Sequence, residues 1–570
     1  MSLKLIIMLK KVFGVLLFSF TITICAQVTN EGIPASWKLT EQKSSVNAIS
    51  LAPVDIQKVK SEDDINDKLR TKPYRIGLQI KVNYGLENAG VWTELSNGDR
   101  IWRVLFESKD ALNLGLIFDK FYLPKGGKIY LYNDDRSDLL GAYTDIQNNE
   151  KQILTTWFVN GDKMWMEYYE PFEVKGQGKL NISSVMHGYR LGHTYQKGYL
   201  GTTKVEGFLN SSGNCNHDVD CPIGADFESQ RDLVKKGVGF LLIPINETSV
   251  TVCSGTLINN TAEDKTPYFL TANHCLGSSD PSAYAIRFNW ISPIQVCAAT
   301  TNSETSSSDF TMTGTTLLAR NEDSDFMLVE INNTIPSKWD VTYVGWDRSD
   351  STPNFTVGIH HPQGDIMKIC RDDDAPTKLA QNAGGSSPIA QTWDITGAGD
   401  GWELGVTEGG SSGSALFDPD GRIIGQLYGG AAACDELDDN DAHDFYGRFA
   451  VSWDNGSTTA TRLSDWLNPS GAAPLTLNSL ENVLAVNDEF LEANITVYPN
   501  PTSGELQIKT SGLVGDLSYQ IFNVLGQVLK TDDINNNSIN ISNLSDNIYF
   551  VKVTEISTKK SLVKKVVLSK

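Results

Sequence analysis

Three residues of this chain have the types and the sequence neighbours that nucleophilic catalysis requires. Ser412 lies in a glycine- and serine-rich run, His274 follows an apolar run, and Asp325 directly precedes a strand-like run. A serine hydroxyl becomes an effective nucleophile when an imidazole takes its proton, and a buried carboxylate holds that imidazole in the correct tautomer. The three segments therefore predict a nucleophile, a general base and an orienting carboxylate, in the chain order His, Asp, Ser.

Each of these residues also has a structural interpretation when it is taken alone. A Gly/Ser-rich run is most often a turn, a histidine beside a cysteine is often part of a core, and an aspartate in a loop is usually solvated. The ordered set favours catalysis over those interpretations. Gly410 lies two residues before Ser412, and small residues here let the N–H groups of Gly410 and Ser412 point at a developing oxyanion.

The chain order of the three residues separates classes of serine hydrolase. Trypsin-like proteases have His, Asp, Ser, whereas α/β-hydrolases have Ser, Asp, His and subtilisins have Asp, His, Ser. Residues 210–478 contain further characteristic sequence words, which are Thr-Leu-Ile-Asn-Asn-Thr at 256–261, Phe-Leu-Thr-Ala-Asn-His-Cys at 269–275, Gly-Trp-Asp-Arg at 345–348, Ile-His-His-Pro at 359–362, Gly-Gln-Leu at 425–427, Tyr-Gly-Arg at 446–448 and Leu-Ser-Asp-Trp-Leu at 463–467. With these words in this order, the segment resembles lysyl endopeptidase, a trypsin-fold protease of secreting bacteria. The resemblance implies a trypsin-like double β-barrel that hydrolyses peptide bonds through an acyl-enzyme intermediate.

The resemblance also implies where a basic side chain of the substrate would bind. Trypsin places a pocket aspartate six residues before the nucleophile, but this chain has Val406 there. Lysyl endopeptidases place it just before the Tyr-Gly-Arg word, which selects Asp444 and a preference for lysine. The alternative is that Asp444 belongs to a solvated acidic loop. Tyr428 replaces a histidine of the best-known lysyl endopeptidase, so strict preference for lysine over arginine stays open.

The acidic loop at 435–441 has further interpretations, but the sequence predicts no metal and no cofactor. Its clustered carboxylates would attract cationic substrate segments, and a weak calcium site is the alternative, although the spacing does not fit an EF-hand. His360 and His361 are adjacent and would point to opposite faces of a strand, so they do not make a zinc site.

The cysteines are typical of an exported protein. Of the eight, Cys25 lies in the leader, and Cys370 stands beside strand-like residues and is interpreted as a buried thiol. Spacing alone leaves the pairing of the other six open. The resemblance implies bonds between Cys215 and Cys434, between Cys221 and Cys297, and between Cys253 and Cys275.

The first residues predict secretion. Three lysines precede the apolar residues 12–24, and small residues follow. This pattern predicts that residues 1–26 are a signal peptide. Lipidation of Cys25 is the alternative, although Ile24 stands where a small residue is expected. No later run approaches the length of a membrane-spanning helix. We therefore expect an extracellular protein. Association with the cell surface after export stays open.

Composition shifts divide the rest of the chain. Residues 27–204 alternate apolar and polar residues between turns, which predicts a β-sandwich. We interpret this region as a propeptide, with an adhesion or carbohydrate-binding module as the alternative. Lys204 would suit cleavage by an enzyme that cuts after lysine. Residues 205–480 form the protease-like domain, and residues 481–493 are a polar linker.

Residues 494–570 predict a small β-sandwich. The word Tyr-Pro-Asn-Pro at 498–501 and the basic carboxy terminus resemble the sorting domain of type IX secretion cargo. The resemblance implies that the secretion machinery is a partner and that the domain is an export address. An immunoglobulin-like binding domain is the alternative.

The net charge of −21 disfavours nucleic acid as a partner. The predicted partners are proteins or peptides with basic residues and the secretion machinery. Two other functions stay open at this point. One is a trypsin-fold protease of broader or different specificity, and the other is a catalytically silent binding protein on the same scaffold.

Overall fold

The protein is mainly β, as the sequence predicts. The computed structural model describes residues 32–39, 46–69, 73–190, 211–246, 248–304, 310–336, 339–382, 387–395, 401–439, 442–481, 491, 494–510, 516–523, 528–534, 537–556 and 561–570. The predicted signal peptide and the predicted cut at Lys204 lie outside the described residues. The chain divides into two compact units, Met1–Glu481 and Asn482–Lys570.

The N-terminal region consists of short strands with alternating side chains. Their bounds are β1 (Ala48–Ser50), β2 (Tyr74–Gly85), β3 (Val91–Glu94), β4 (Arg100–Glu107), β5 (Asn113–Tyr122), β6 (Lys128–Asn133), β7 (Leu139–Tyr143), β8 (Leu154–Thr155), β9 (Val159–Asn160), β10 (Lys163–Glu170) and β11 (Lys179–Gly188).

These strands form the predicted β-sandwich. One sheet has the order β1-β4-β10-β6-β7 with β3 beside β4, and the other contains β2-β11-β5 with β8 and β9 beside β5. Trp102, Val104 and Phe106 of β4 share one buried cluster with Leu114 and Leu116 of β5. The two apolar faces thus bury each other, which is what fixes the sandwich.

The protease-like region is built from a second series of strands. Their bounds are β12 (His217–Asp218), β13 (Val238–Ile245), β14 (Ser249–Leu257), β15 (Tyr268–Ala272), β16 (Ala285–Phe288), β17 (Phe310–Thr313), β18 (Thr315–Asn321), β19 (Phe326–Ile331), β20 (Thr342–Tyr343), β21 (Trp346–Asp347), β22 (Thr356–His360), β23 (Lys368–Asp372), β24 (Thr377–Gln381), β25 (Ala390–Asp394), β26 (Ala415–Phe417), β27 (Ile423–Gly430), β28 (Cys434–Asp435), β29 (Asp438–Asp439), β30 (Asp444–Arg448), β31 (Thr476–Leu477) and β32 (Leu480–Glu481).

Two sheets make up the two halves of a trypsin-like double β-barrel. The first half pairs in the order β17-β16-β13-β14-β15-β19-β18, and the second in the order β12-β23-β22-β26-β27-β30-β25-β24. Leu270 and Leu328 of the first half lie in one buried cluster with Val357, Ile359 and Phe417 of the second. This shared cluster holds the two halves against each other.

The N-terminal sandwich and the first half share a sheet, which the sequence did not predict. Strand β2 pairs antiparallel with β14, with Leu78 opposite Ser249 and Tyr74 opposite Val252. Trp157 packs edge-on against Phe240 of β13 at a ring distance of 5.5 Å. The sandwich therefore covers an outer face of the protease-like region.

Helices are few and short among the described residues. The α-helices are α1 (Ile56–Leu69), α2 (Glu228–Val234), α3 (Phe449–Asp454) and α4 (Ser464–Leu467). Turns of 3₁₀-helix are Ala35–Lys38, Asp145–Gln147, Phe172–Val174, Lys235–Gly237, Asn273–Cys275, Pro281–Ala283 and Pro362–Gly364. Over the described ranges, none of the helices has the length and apolar character needed to span a bilayer.

The second compact unit is a small two-sheet structure. Its strands are β33 (Ile495–Tyr498), β34 (Glu505–Thr510), β35 (Leu517–Phe522), β36 (Val528–Asp533), β37 (Ser538–Asn540), β38 (Asn547–Glu555) and β39 (Ser561–Leu568). The sheets have the orders β33-β34-β37 and β36-β35-β38-β39. Leu506 and Ile508 of one sheet lie in a buried cluster with Ile521, Val551 and Val566 of the other. This is the predicted small β-sandwich.

Candidate active site

The pairing of β15 with β19 brings His274 beside Asp325. Ala272 at the end of β15 lies opposite Phe326 at the start of β19. His274 follows β15 in the turn Asn273–Cys275, and Asp325 immediately precedes β19, so both residues lie at the same end of this strand pair. The N–H of Asn273 also donates to the Asp325 carbonyl at 2.7 Å.

The side chains of His274 and Asp325 are hydrogen-bonded. Nδ1 of His274 lies 2.7 Å from Oδ2 of Asp325, and the His274 backbone N–H donates to Oδ1 at 2.9 Å. Burial raises the pKa of Asp325, and His274 opposes that effect. With the carboxylate ionised, Nδ1–H is the donor, which leaves Nε2 as the basic nitrogen. Among the described residues Nε2 has no hydrogen-bond partner.

The Ser412 loop is fixed against the strands that carry His274. The N–H of Ser254 in β14 donates to the Ser412 carbonyl at 2.8 Å, and the N–H of Gly413 donates to the Leu427 carbonyl at 2.9 Å. Gly413 has φ +82°, and a Cβ there would clash with the hydroxyl of Thr271 in β15. Glycine at 413 therefore allows the loop to lie directly against β15.

Ser412 is near His274 but is not hydrogen-bonded to it. Sγ of Cys275, the next residue after His274, lies 3.9 Å from the Ser412 carbonyl oxygen. Ser412 is 7% exposed, and no Oγ–Nε2 hydrogen bond is formed. Such bonds are often long in substrate-free enzymes and shorten when substrate binds.

The two N–H groups expected to form an oxyanion hole have no acceptor within the described part of the chain. Gly410 has φ +96°, and its carbonyl accepts a hydrogen bond from the Ser254 hydroxyl at 3.0 Å. A Cβ at Gly410 would lie 3.0 Å from the His361 carbonyl oxygen. The N–H groups of Gly410 and Ser412 donate to no residue in the described ranges, so they are available to an external acceptor.

Asp444 is fully buried at the start of β30. Its Oδ2 accepts hydrogen bonds from Nε1 of Trp402 at 2.8 Å and from Oγ1 of Thr407 at 2.7 Å. Gly430 lies opposite Asp444 across the β27–β30 pair, and a Cβ at Gly430 would clash with Oδ1. The carboxylate is thus held from one side by two donors and given room on the other by a glycine.

The structure also shows which residues surround Val406 and Tyr428. Val406 is buried in an apolar cluster with Trp402 and Leu427, so the trypsin-type pocket position carries no charge. The Tyr428 ring centroid lies 6.2 Å from that of His274, and its hydroxyl donates to the Pro388 carbonyl at 2.5 Å. Tyr428 therefore packs beside the imidazole.

Comparisons with known proteins found matches to two parts of the chain. Residues 209–447 match the family model "Lysyl endopeptidase, C-terminal domain", and residues 496–569 match "Secretion system C-terminal sorting domain". The lysyl endopeptidase of Pseudomonas aeruginosa is 27% identical over 288 residues, which cover 48% of this chain. The resemblance to lysyl endopeptidase is confirmed. The match spans 56% of that protein's length, so it leaves a large part of the relative unmatched.

The solved structures that match have low overall similarity to this chain. An inactive mutant form of Rv3671c from M. tuberculosis is 12% identical with a TM-score of 0.24, covering 39% of this chain and 84% of that one. The structure of GrC is 12% identical with a TM-score of 0.25, covering 41% of this chain and 92% of that one.

The match of the C-terminal unit to the sorting domain confirms the prediction that the chain is exported.

Three disulfides join the pairs that the resemblance to lysyl endopeptidase implies. They are Cys215–Cys434, Cys221–Cys297 and Cys253–Cys275. The last joins β14 to the turn that carries His274. Cys370 is buried and forms no disulfide bond.

The residues considered as alternative metal sites have other neighbours. Nδ1 of His360 lies 2.7 Å from the Ser411 hydroxyl, and Nδ1 of His361 lies 3.0 Å from the Asp365 carbonyl. In the acidic loop, β28 and β29 pair, and residues 440 and 441 lie outside the described residues.

His360 is a residue of the candidate site whose role the sequence did not reveal. Its imidazole bonds to Ser411, directly before Ser412, and the Ser411 hydroxyl also accepts from the Glu408 N–H at 3.2 Å. Burial, with a smaller effect of nearby positive charge, lowers the pKa of His360 to about 3. A neutral imidazole therefore holds the Ser412 loop at neutral pH.

We expect His360→Asn to change the pH dependence of stability. Between pH 6.5 and about 3, His360 is protonated in the unfolded chain but neutral in the folded chain. Because the unfolded chain binds the extra proton, the free energy of unfolding decreases as the pH falls. The maximum effect is about 1.4 kcal/mol per pH unit. Asparagine can accept from Ser411 but does not titrate, so the variant should lose less stability on acidification. Urea unfolding from neutral to acidic pH, in a Ser412→Ala background that cannot self-digest, measures both slopes. Equal slopes would contradict a buried neutral His360.

Proposed function

We propose that the chain is a secreted serine endopeptidase that cleaves peptide bonds after lysine, with arginine as a weaker substrate. The observation that carries the proposal is the hydrogen bond between His274 and the buried Asp325, beside the glycine-flanked Ser412 loop. The matches to the lysyl endopeptidase model and to the P. aeruginosa relative support it.

In the proposed reaction, Ser412 Oγ attacks the scissile carbonyl while Nε2 of His274 takes its proton. The carbonyl oxygen becomes an oxyanion that accepts hydrogen bonds from the N–H groups of Gly410 and Ser412. Each such donor typically lowers the barrier by about 3 kcal/mol. Asp325 keeps Nδ1 protonated and stabilises the imidazolium. The intermediate collapses as His274 gives the proton to the leaving amine, and water then hydrolyses the acyl-enzyme by the same route.

The preference for lysine is assigned to Asp444. Its buried carboxylate accepts a hydrogen bond from Trp402, which belongs to an apolar cluster with Val406. A charge in such surroundings is stable when it is paired and hydrogen-bonded. An ammonium is a compact point charge, and a guanidinium is a broad fork. A carboxylate already held by two donors, Trp402 and Thr407, has fewer positions left for a bidentate guanidinium, which favours lysine.

Profiling the cleavage sites in a denatured protein mixture tests the specificity. Enrichment of cuts after lysine supports the proposal, whereas cuts without enrichment after lysine or arginine would remove the Asp444 assignment. The alternative of a trypsin-fold protease with another preference would then remain. A protein that makes no cuts and does not react with a fluorophosphonate would be a binding protein on the same scaffold.

We further propose that the N-terminal sandwich is a propeptide that covers the Ser412 loop. A Cβ at Gly409 would lie 2.9 Å from the Tyr74 ring, so this ring packs on the loop backbone. The Tyr74 hydroxyl donates to Oε1 of Gln363 at 3.4 Å, and the Arg190 guanidinium lies 4.5 Å from the Tyr74 ring centre. Tyr74 thus occupies the surface next to the proposed oxyanion hole.

The interface between sandwich and protease is apolar and extensive. Phe240, Leu242, Val252 and Trp290 of the protease-like region lie in the same buried cluster as Trp157 of the sandwich. A cut at Lys204 would leave this face covered until the sandwich dissociates or is degraded. Sequencing the amino terminus of the secreted enzyme tests this cut, and a start before Thr203 would exclude self-processing at Lys204.

We expect Tyr74→Ala to make the unprocessed precursor more reactive. Removing a buried tyrosine ring from an interface costs about 1.5–3 kcal/mol, so fluorophosphonate labelling of the precursor should accelerate about tenfold or more. Tyr122 is a tyrosine of the same sandwich with 39% exposure, and Tyr122→Ala is the matched control. Identical labelling rates for both variants would show that Tyr74 does not restrain the loop.

The C-terminal unit is proposed to be an address read by the type IX secretion machinery, which is consistent with the sorting-domain match. Deleting residues 494–570 should leave the protease-like unit inside the cell envelope. Export of the truncated protein at the normal level would argue against this role.

A further inference from the structure

Three carboxylates converge on the side of the protease-like region that carries Trp402. One oxygen each from Asp372, Asp374 and Glu403 lie within 4.8 Å of one another. Asp372 ends β23, Asp374 follows two residues later, and Glu403 lies on a separate segment. That segment is attached to β23 because the N–H of Glu403 donates to the Arg371 carbonyl at 2.9 Å.

The buried member of the cluster has an oxygen without a partner. Asp372 is fully buried, and its Oδ1 accepts from the Asp374 N–H at 2.9 Å. Its Oδ2 is inaccessible to solvent and has no hydrogen-bond partner in the described part of the chain. Burying a carboxylate oxygen without a partner is costly, and a bound cation offsets that cost.

The charged groups around Asp372 add to that cost. The carboxylates of Asp374 and Glu403 carry the same charge and lie close to that of Asp372. Arg371 is directed elsewhere, since its guanidinium pairs with Asp226 and Asp373. The cluster therefore offers oxygen donors and negative charge to an external cation.

From this geometry we propose that Asp372, Asp374 and Glu403 bind one calcium ion. All three donors are carboxylate oxygens, which suit a hard cation, and calcium tolerates an irregular site that is completed by water. An exported protein meets calcium at concentrations that fill such weak sites. Magnesium requires a near-ideal octahedron at shorter distances, which two carboxylates on one turn and a third on another segment do not favour.

A bound ion would connect two segments near the proposed lysine pocket. Glu403 follows Trp402, whose indole donates to Asp444. Linking Glu403 to the end of β23 would therefore reduce the motion of a residue that positions Asp444. Neither the spacing rules for EF-hand loops nor any short motif predicts this cluster, because Glu403 is distant from Asp372 in sequence.

The test is the unfolding temperature of the full-length Ser412→Ala protein with calcium, with magnesium and with a chelator. Calcium in about tenfold excess over the dissociation constant should raise the unfolding temperature by about 1–2 °C. Asp372→Asn should abolish this response and should itself be more stable than its parent in chelator, because it removes a buried carboxylate. Asp435→Asn in the acidic loop is the matched control and should keep the response.

Several outcomes would overturn the proposal. These are no shift with calcium, an equal shift with magnesium, or a response that survives in Asp372→Asn. If Asp372→Asn does not fold, Glu403→Gln at the exposed ligand provides the same comparison. The measurement does not depend on peptidase activity, so its failure would leave the proposed function untouched.

Discussion

Replacing Ser412 with alanine is expected to lower kcat by about 10⁶-fold, the size of effect typical when a serine nucleophile is removed. The loop should keep its shape, because the bonds from Ser254 to the Ser412 carbonyl and from Gly413 to Leu427 use backbone atoms. Circular dichroism and unfolding curves should therefore match those of the parent, while hydrolysis of a lysine ester or amide disappears.

Ser411→Ala is the control for this variant. Ser411 bonds to His360 and supports the loop, so its loss should reduce kcat far less than the loss of the nucleophile. It should also leave labelling by a fluorophosphonate detectable. Comparable activities of the Ser412→Ala and Ser411→Ala proteins would contradict the assignment of Ser412 as nucleophile.

Asp444→Asn is expected to have the second largest effect on activity. The loss should be confined to substrates with lysine at the cleavage site. A lysine ammonium left in the pocket without its counter-charge costs about 3–5 kcal/mol, so kcat/KM for lysine substrates should fall by about 10²- to 10⁴-fold. Asparagine retains an oxygen that can accept from Trp402 and Thr407, which should preserve the fold of the pocket. Kinetics with matched lysine and norleucine substrates measure the loss.

The fluorophosphonate reaction separates a pocket defect from a catalytic defect. It needs Ser412 and His274 but no basic side chain, so Asp444→Asn should label at nearly the parent rate. Asp435→Asn changes an exposed carboxylate of the acidic loop and should keep lysine cleavage. Equal losses in both variants would favour a general effect of negative charge over a specific pocket.

The sequence could predict those parts of the site in which a residue type and its immediate neighbours carry the information. Asp325 precedes a strand and His274 follows one, and their contact then depends on a single pairing, β15 with β19. The alternating strands of the sandwich were predictable from local sequence too, whereas the double barrel was implied by the resemblance to lysyl endopeptidase. Apolar residues at every second position can be buried in few ways.

Contacts between residues that are distant in the sequence could not be predicted from local sequence patterns. Trp402 and Thr407 bind Asp444 across about forty residues of chain, and nothing in their local sequence marks them as donors to it. The sequence places His360 in a shared word and argues against a zinc site there, but it does not indicate that the partner of this histidine is Ser411. Both contacts depend on the three-dimensional path of the second barrel half.

The pairing of β2 with β14 was unpredictable for another reason. The alternation in Tyr74 to Val82 indicates a strand and its two faces, but a strand edge can hydrogen-bond to any other edge. Only the assembled structure shows that the free edge of the sandwich is completed by Ser249 and Val252 of the protease-like region. This pairing is what places Tyr74 beside the Ser412 loop.

The most direct test of the account is to locate the adduct that a fluorophosphonate forms with the processed enzyme, by peptide mass spectrometry. The account predicts one modified residue, Ser412, with the modification slowed by about 10⁴-fold in Asp325→Asn because the imidazole loses its orienting carboxylate. A stable adduct on any other serine, or an enzyme that cleaves after lysine without ever being modified at Ser412, would contradict it.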